Sequence, residues 1–304
     1  MARRTGKATA ALLLLMSVSA MPLAQELSPR AYWPAPQGTQ IGALGFAHTR
    51  GDTIPDPSLP IAGLNSSITT AQLSVRQTFA LAGRTATFVV DAPYASGRSS
   101  ADVDGLGTVS RDYDGLGDIA ATLSVNFVGA PAMDRKAFAE MLRSPRPLLG
   151  GSVRIVAPTG RYDPERLLNV GANRWATKLE LGYILPLGNQ WIWELEAGGW
   201  WFQDNDDFLG LRREQAALYS VETHLVRQIH PGLWVSLDAN FYRGGRSTLG
   251  GRRLNNLQRD SKAGFTLVFP FNRRNAFKLA YEQGSLNDSD ENFRAYSLSY
   301  LRTF

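Results

Sequence analysis

From about residue 38 onward, apolar and polar side chains alternate along stretch after stretch of the chain, the period-two signature of strands with two unlike faces. In the segment 190–203, Trp191, Trp193, Leu195, Ala197 and Trp201 fall on one face, with Glu194 and Glu196 on the other. Tyr219, Val221 and Leu225 alternate with Ser220, Glu222 and His224, and Leu233, Val235, Leu237, Ala239 and Phe241 alternate with Ser236, Asp238 and Asn240. The rule predicts about twelve such segments, at 38–48, 70–81, 84–93, 117–129, 149–157, 175–186, 190–203, 216–229, 232–243, 259–270, 275–284 and 293–304. Most run nine to fourteen residues. That length lets a tilted strand cross a bilayer and exceeds what soluble sheets normally use.

The connections alternate as well. Ala82-Gly83, Leu187-Gly188-Asn189, His230-Pro231 and Phe271 to Arg274 are tight, while longer polar links are predicted at 49–69, 94–116, 158–174, 204–215, 244–256 and 285–292. Short turns at one end and long loops at the other are the habit of outer-membrane barrels, the short turns lying in the periplasm. Hydrocarbon offers an unpaired amide no partner, so such a sheet must close on itself. The expected fold class is therefore all-β: a transmembrane antiparallel barrel of about twelve strands around a polar interior. One connection, 130–148, breaks the pattern. Within it, residues 134–143 predict a short periplasmic helix, with Asp134 at its start, Phe138, Met141 and Leu142 on its apolar side, and Pro145 as its stop. Trp175, Trp191, Trp193, Trp201, Tyr219, Tyr242 and Tyr300 suit aromatic girdles at the interfaces, whereas Trp200 and Trp234 fall on the inward register.

The first two dozen residues differ in kind. Arg3, Arg4 and Lys7 precede an apolar run from Ala8 to Val18 and small-residue cleavage sites after Ala20 or Ala24. This is the pattern of a secretory signal peptide, since a spanning helix needs about twenty apolar residues. The expected organisation is a signal peptide at 1–24, a lead-in at 25–36 and one barrel over 37–304. Losing the leader's three cations lowers the formal charge from +5 to +2, and the remaining arginines scatter over loops, so no nucleic-acid partner is expected. The chain has no cysteine, which removes disulfides, thiolate metal sites and thiol catalysis together.

If the apolar face meets lipid, the other face lines the lumen, and ionisable groups collect there. The lumen-lining candidates are Arg76 and Arg154, Lys178 and Glu180, Glu194 and Glu196, Glu222 and His224, then Asp238, Lys262, Lys278 and Glu282. Both signs are present, so the charges either pair into a stiffening lattice or wall a water-filled path that selects solutes. A twelve-stranded barrel lies between the side-chain-filled eight-stranded type and open sixteen-stranded channels. No enzyme is expected. His224 with Ser220, Glu222 and Asp238 suggests a hydrolase triad, but it points inward, away from lipid, and no spacing is diagnostic. His48 and His230 have no metal-ligand spacing, and the acidic run Asp204-Asn205-Asp206-Asp207 lacks the full order of a calcium loop. The Gly244-Gly245-Arg246 and Gly250-Gly251-Arg252 pieces lack a phosphate-loop context. No metal and no cofactor is expected.

Specific strings add to the periodicity. Asn126 to Ala132 (NFVGAPA), Pro158 to Tyr162 (PTGRY), Asn169 to Trp175 (NVGANRW), Trp201 to Phe208 (WFQDNDDF) and Tyr242 to Arg246 (YRGGR) together resemble the MetA-pathway phenol-degradation family, over roughly residues 37–304. Ala216-Ala217-Leu218 departs from it where a more polar, proline-containing stretch is usual. The resemblance implies an outer-membrane transporter barrel and passage of small, hydrophobic or phenol-like solutes, and it carries no catalytic residues. Tyr300 and Phe304, on one face of the last strand, resemble the signal read by the outer-membrane assembly machinery. The expected partners are thus that machinery, outer-membrane lipids and a small-molecule solute.

Overall fold

A computed structural model describes residues 28–52, 65–103, 107–284 and 293–304. The signal-peptide segment 1–24 and the loop at 285–292 lie outside these residues. The chain forms β1 (Gln40–Asp52), β2 (Asn65–Leu81), β3 (Arg84–Val103), β4 (Gly107–Leu116) and β5 (Ala120–Val128), then the helix α1 (Arg135–Arg143). There follow β6 (Leu148–Val156), β7 (Ala176–Gly188), β8 (Trp191–Phe202), β9 (Asn205–Phe208), β10 (Leu211–Gln215), β11 (Leu218–His230) and β12 (Leu233–Gly244). The last elements are β13 (Ser247–Leu249), β14 (Arg252–Arg253), β15 (Gln258–Pro270), β16 (Asn275–Gly284) and β17 (Phe293–Thr303).

Neighbouring long strands pair antiparallel in sequence order, and β17 pairs with β1, so the sheet closes into a twelve-stranded barrel. β4 and β5 share one place in the wall. Residues 86–91 of β3 pair with β5 and residues 94–103 with β4. The partner changes at Pro93, which has no N–H for the ladder and whose carbonyl accepts Gly117 N at 2.9 Å. Among the described residues no helix is long and apolar enough to cross a membrane, which has no bearing on spanning strands.

The barrel is inside-out relative to a soluble protein. Leu237 is 65% exposed, whereas the next residue, Asp238, is 4% exposed. Outward positions carry Leu, Val, Phe, Trp and Tyr, as lipid requires. Trp200 and Trp234 point inward as expected, and Tyr242, expected in a girdle, is also buried inside beside Trp200 and Leu218; Trp201 and Tyr219 remain on the outer face, packing edge to face at 6.3 Å.

The long-loop end departs from the sequence expectation. Residues read as loops within 49–69 and 94–116 continue as paired strands, β1–β2 and β3–β4, beyond the bilayer-length portion. The links at 204–215 and 244–256 carry β9, β10, β13 and β14, a small separate sheet. At the other end the turns are tight. Ala82 and Gly83 both adopt positive φ (47° and 75°), which a two-residue hairpin matching the strand twist needs. The helix forms where expected. Asp134 accepts Ala137 N at 2.8 Å as its cap, Arg143 suits its last turn, and Ser144 and Pro145 end it. Its one buried residue, Phe138, packs into the apolar cluster at the barrel mouth.

Candidate functional site: the barrel interior

The interior divides into three layers. At the short-turn end, inward-facing Ile41, Leu148, Ile184, Ile192, Val226, Trp234, Val268 and Leu301 form an apolar collar. The N-terminal segment enters it: Tyr32 and Trp33 are buried against the collar, with Met133 and Phe138 of the α1 connection beside them. The Tyr32 ring lies over Gly150 and Gly182, where an added Cβ would collide with it. Tyr32 OH reaches Ser152 Oγ (2.9 Å) and Glu180 Oε1 (3.1 Å), and its carbonyl accepts Asn126 Nδ2 at 3.0 Å. Arg30 is fully buried. Its backbone N–H donates to Glu194 Oε2 (2.6 Å), its Nη2 to Gln228 Oε1 (2.7 Å), and its guanidinium sits about 5 Å from the rings of Trp33 and Trp234. Burial pulls that guanidinium down to about 10, so it stays charged at neutral pH.

The middle layer is charged. Of the twelve lumen candidates from the sequence, eight are buried, Arg154, Lys178, Glu180 and Glu282 keep side-chain exposures of 20%, 13%, 8% and 13%, and the structure joins most of the twelve into pairs. Arg154 Nη1 donates to Asp91 Oδ2 at 2.8 Å, and Ser74 Oγ to the other oxygen at 2.5 Å. Arg76 is buried on β2, the strand beside β3, which carries Asp91. Lys178 pairs with Glu180 and lies 3.5 Å from Glu222 Oε1. His224 Nδ1 is 2.9 Å from Asp238 Oδ1, whose partner oxygen accepts Thr266 Oγ1 at 2.9 Å. Lys262 lies 3.4 Å from Glu282, while Lys278 stands opposite Val268, toward the collar. Glu194 and His224 are fully inaccessible, Glu194 accepting from the backbone of Arg30 in the N-terminal segment. The hydrolase arrangement does not assemble. His224 Nε2 has no hydrogen-bond partner, and so no link to the Ser220 hydroxyl.

At the long-loop end, residues 157–175 fold back over the mouth. Asp118, at the break between β4 and β5, accepts Gly160 N (2.7 Å) and Ala172 N (2.8 Å). Asn205 ties the same loop to the small sheet by donating to Tyr162 OH (2.9 Å) and Ala172 O (3.2 Å). Val170 packs into Ile68, Ala95 and Tyr113 of the inner wall. The acidic run is spent on structure here: Arg212 binds Asp204 and lies 3.6 Å from Asp206. His48 is likewise occupied, its Nδ1 3.0 Å from Thr69 Oγ1 across the strand pair. Three of the strings singled out in the sequence, at 158–162, 169–175 and 201–208, thus meet at one place.

The sequence profile of the family described as "Putative MetA-pathway of phenol degradation" matches residues 52–302. The chain belongs to this family. Among solved structures, the COG4313 outer membrane channel from Pseudomonas putida F1 is similar, with a TM-score of 0.75 and 24% identity over 92% of this chain and 100% of that one. The β domain of the Bordetella autotransporter BrkA follows with a TM-score of 0.51 and 12% identity, covering 88% of this chain and 100% of that one. No curated protein matches significantly. These likenesses establish the fold of a bacterial outer-membrane β-barrel.

Sequence reasoning missed Asp91 and Arg30, and it placed Asp118 on the polar side of its segment without giving it a role. Asp91 sits in a strand whose consecutive Phe88, Val89 and Val90 blur the alternation, and Arg30 lies in a lead-in with no period at all. On the outer wall, Gly151, Ala197 and Gly199 leave an apolar groove of about 610 Å³ rimmed by Phe127, Leu181, Trp201 and Tyr219. It faces the lipid rather than the lumen.

Proposed function

We propose that this barrel is a gated outer-membrane channel for small apolar or aromatic solutes, closed at rest by its own N-terminal segment. The carrying observation is the seat of that segment: Tyr32 and Trp33 fill a collar of apolar side chains that a transmembrane barrel's inner face does not ordinarily present. Once the segment leaves, the collar offers an apolar-walled entry of the kind a phenol-like molecule would use. Family membership supports the same solute class. The charged middle layer then acts as the filter, its paired groups setting which solutes pass.

The complete burial of Glu194 and His224 favours a second reading, a structural envelope barrel with a permanently closed lumen. Single-channel recording in planar bilayers separates the two. The channel reading expects rare openings in the intact protein, steady conductance once residues 25–36 are deleted, and block of that conductance by added phenol. Silence from both proteins, with heat-modifiable migration showing that they are folded, would leave the structural reading.

A further inference from the structure

Midway along β8 and β11, Glu196, Glu222 and His224 bring one donor atom each to within 4.8 Å of one another. All three side chains are buried, at 2%, 3% and 0% exposure. Glu196 Oε1, Glu222 Oε2 and His224 Nε2 have no hydrogen-bond partner. The strand register makes the arrangement costly by itself, because Glu222 stands directly opposite Glu196 and like charges so placed repel. Nearby cations are already engaged. Lys178 holds Glu180 and faces the other oxygen of Glu222, Lys262 faces Glu282, and the Arg30 guanidinium lies between two indoles.

The imidazole is oriented from behind. Nδ1 lies against Asp238, which Thr266 holds in turn, and Nε2 lies 4.0 Å from Glu222 Oε2, so that a ring losing its Nε2 proton to an incoming cation would offer that nitrogen's lone pair to the ion. A carboxylate behind a histidine is the arrangement that fixes metal-ligating imidazoles. We propose that Glu196, Glu222 and His224 bind a divalent transition cation of the zinc class, with Asp238 as the positioning residue. One nitrogen and two carboxylates suit such an ion, whereas calcium takes roughly six to eight oxygens. Zinc bonds of about 2.0–2.2 Å set tetrahedral ligand atoms about 3.3–3.6 Å apart, so small side-chain rotations close the cluster without moving the strands. The bound ion would relieve the facing carboxylates and tie β8 to β11 in the middle of the wall, whether or not the barrel conducts.

The test is to refold the full chain from urea into detergent with zinc chloride, dialyse it, select the heat-modifiable folded fraction and measure zinc by mass spectrometry. About one zinc per chain is expected, with affinity falling at least about tenfold in Glu196→Gln and His224→Ala and by roughly 10–100-fold in Asp238→Asn. Glu282→Gln, outside the cluster, should retain the ion. Refolding the wild type with cobalt provides a readout that needs no variant: visible bands stronger than those of the hydrated ion support a site of low coordination number. A folded wild type without zinc would overturn the proposal. So would zinc retained in a folded Glu196→Gln/Glu222→Gln double variant, or a cobalt spectrum like that of the hydrated ion.

Discussion

The two ends of this barrel are closed by different physics. At the long-loop end the cover is polar: a loop of residues 157–175, continuous with the strands on either side, fixed through Asp118 and Asn205 to specific backbone groups. At the short-turn end the cover is an N-terminal segment lying in an apolar collar, with one ring resting on two glycines and one buried guanidinium. A hydrogen-bonded cap has defined geometry and gives way only when several directional contacts break together. Apolar packing, which here acts beside the Arg30 and Tyr32 hydrogen bonds, can be exchanged for another apolar occupant. On the gated reading proposed above, the segment at the short-turn end is the part that moves and the loop at the other end is the fixed scaffold.

The strongest test of that contrast removes the outer staple. Asp118→Ala strips the charged acceptor from two backbone N–H groups, each such bond being worth about 1.5–3 kcal/mol. Loop 157–175 should become the first site of limited proteolysis while the barrel stays folded. Were the loop to remain as protected as in the wild type, Asn205 and the Val170 contacts would be holding it, and the outer cap would not depend on its polar staple.

Gly182→Ala attacks the inner closure. The added Cβ has no room beneath the Tyr32 ring, and overpacking of this kind costs about 1–3 kcal/mol. The expected outcome is an unseated segment, read as a higher open probability in bilayers with little change in barrel stability. Lower stability with unchanged conductance would mean that the ring is only packing and the segment is no gate.

The two ends also differ in how far they could be read from the sequence. Lipid demands apolar side chains at every second position, so the inward parity of Glu194, His224, Asp238 and Lys262 and the places of the twelve wall strands follow from alternation alone. Above the bilayer that demand lapses. Residues 65–69 and 94–103 therefore read as loop, although their backbones pair without interruption in β2 and β3. β9, β10, β13 and β14 are too short to show a period. The helix α1 was visible because Asp134, Phe138 and Pro145 are local signals. The pairs inside the barrel were not, because Asp91 with Arg154, or Glu196 facing Glu222, depends on which strands are neighbours and in what register.

Tyr32→Phe is the smallest perturbation, and it probes what seats the segment. It deletes the hydroxyl bonds to Ser152 and Glu180 but keeps the ring over Gly150 and Gly182. If packing in the collar seats the segment, the loss is about 1 kcal/mol and the open probability rises less than in Gly182→Ala. If Tyr32→Phe opens the barrel as readily as Gly182→Ala, the Glu180 and Ser152 bonds are the latch. The inner end would then be held as the outer end is, by directional polar contacts, and the charged layer behind it would be part of the gate as well as the filter.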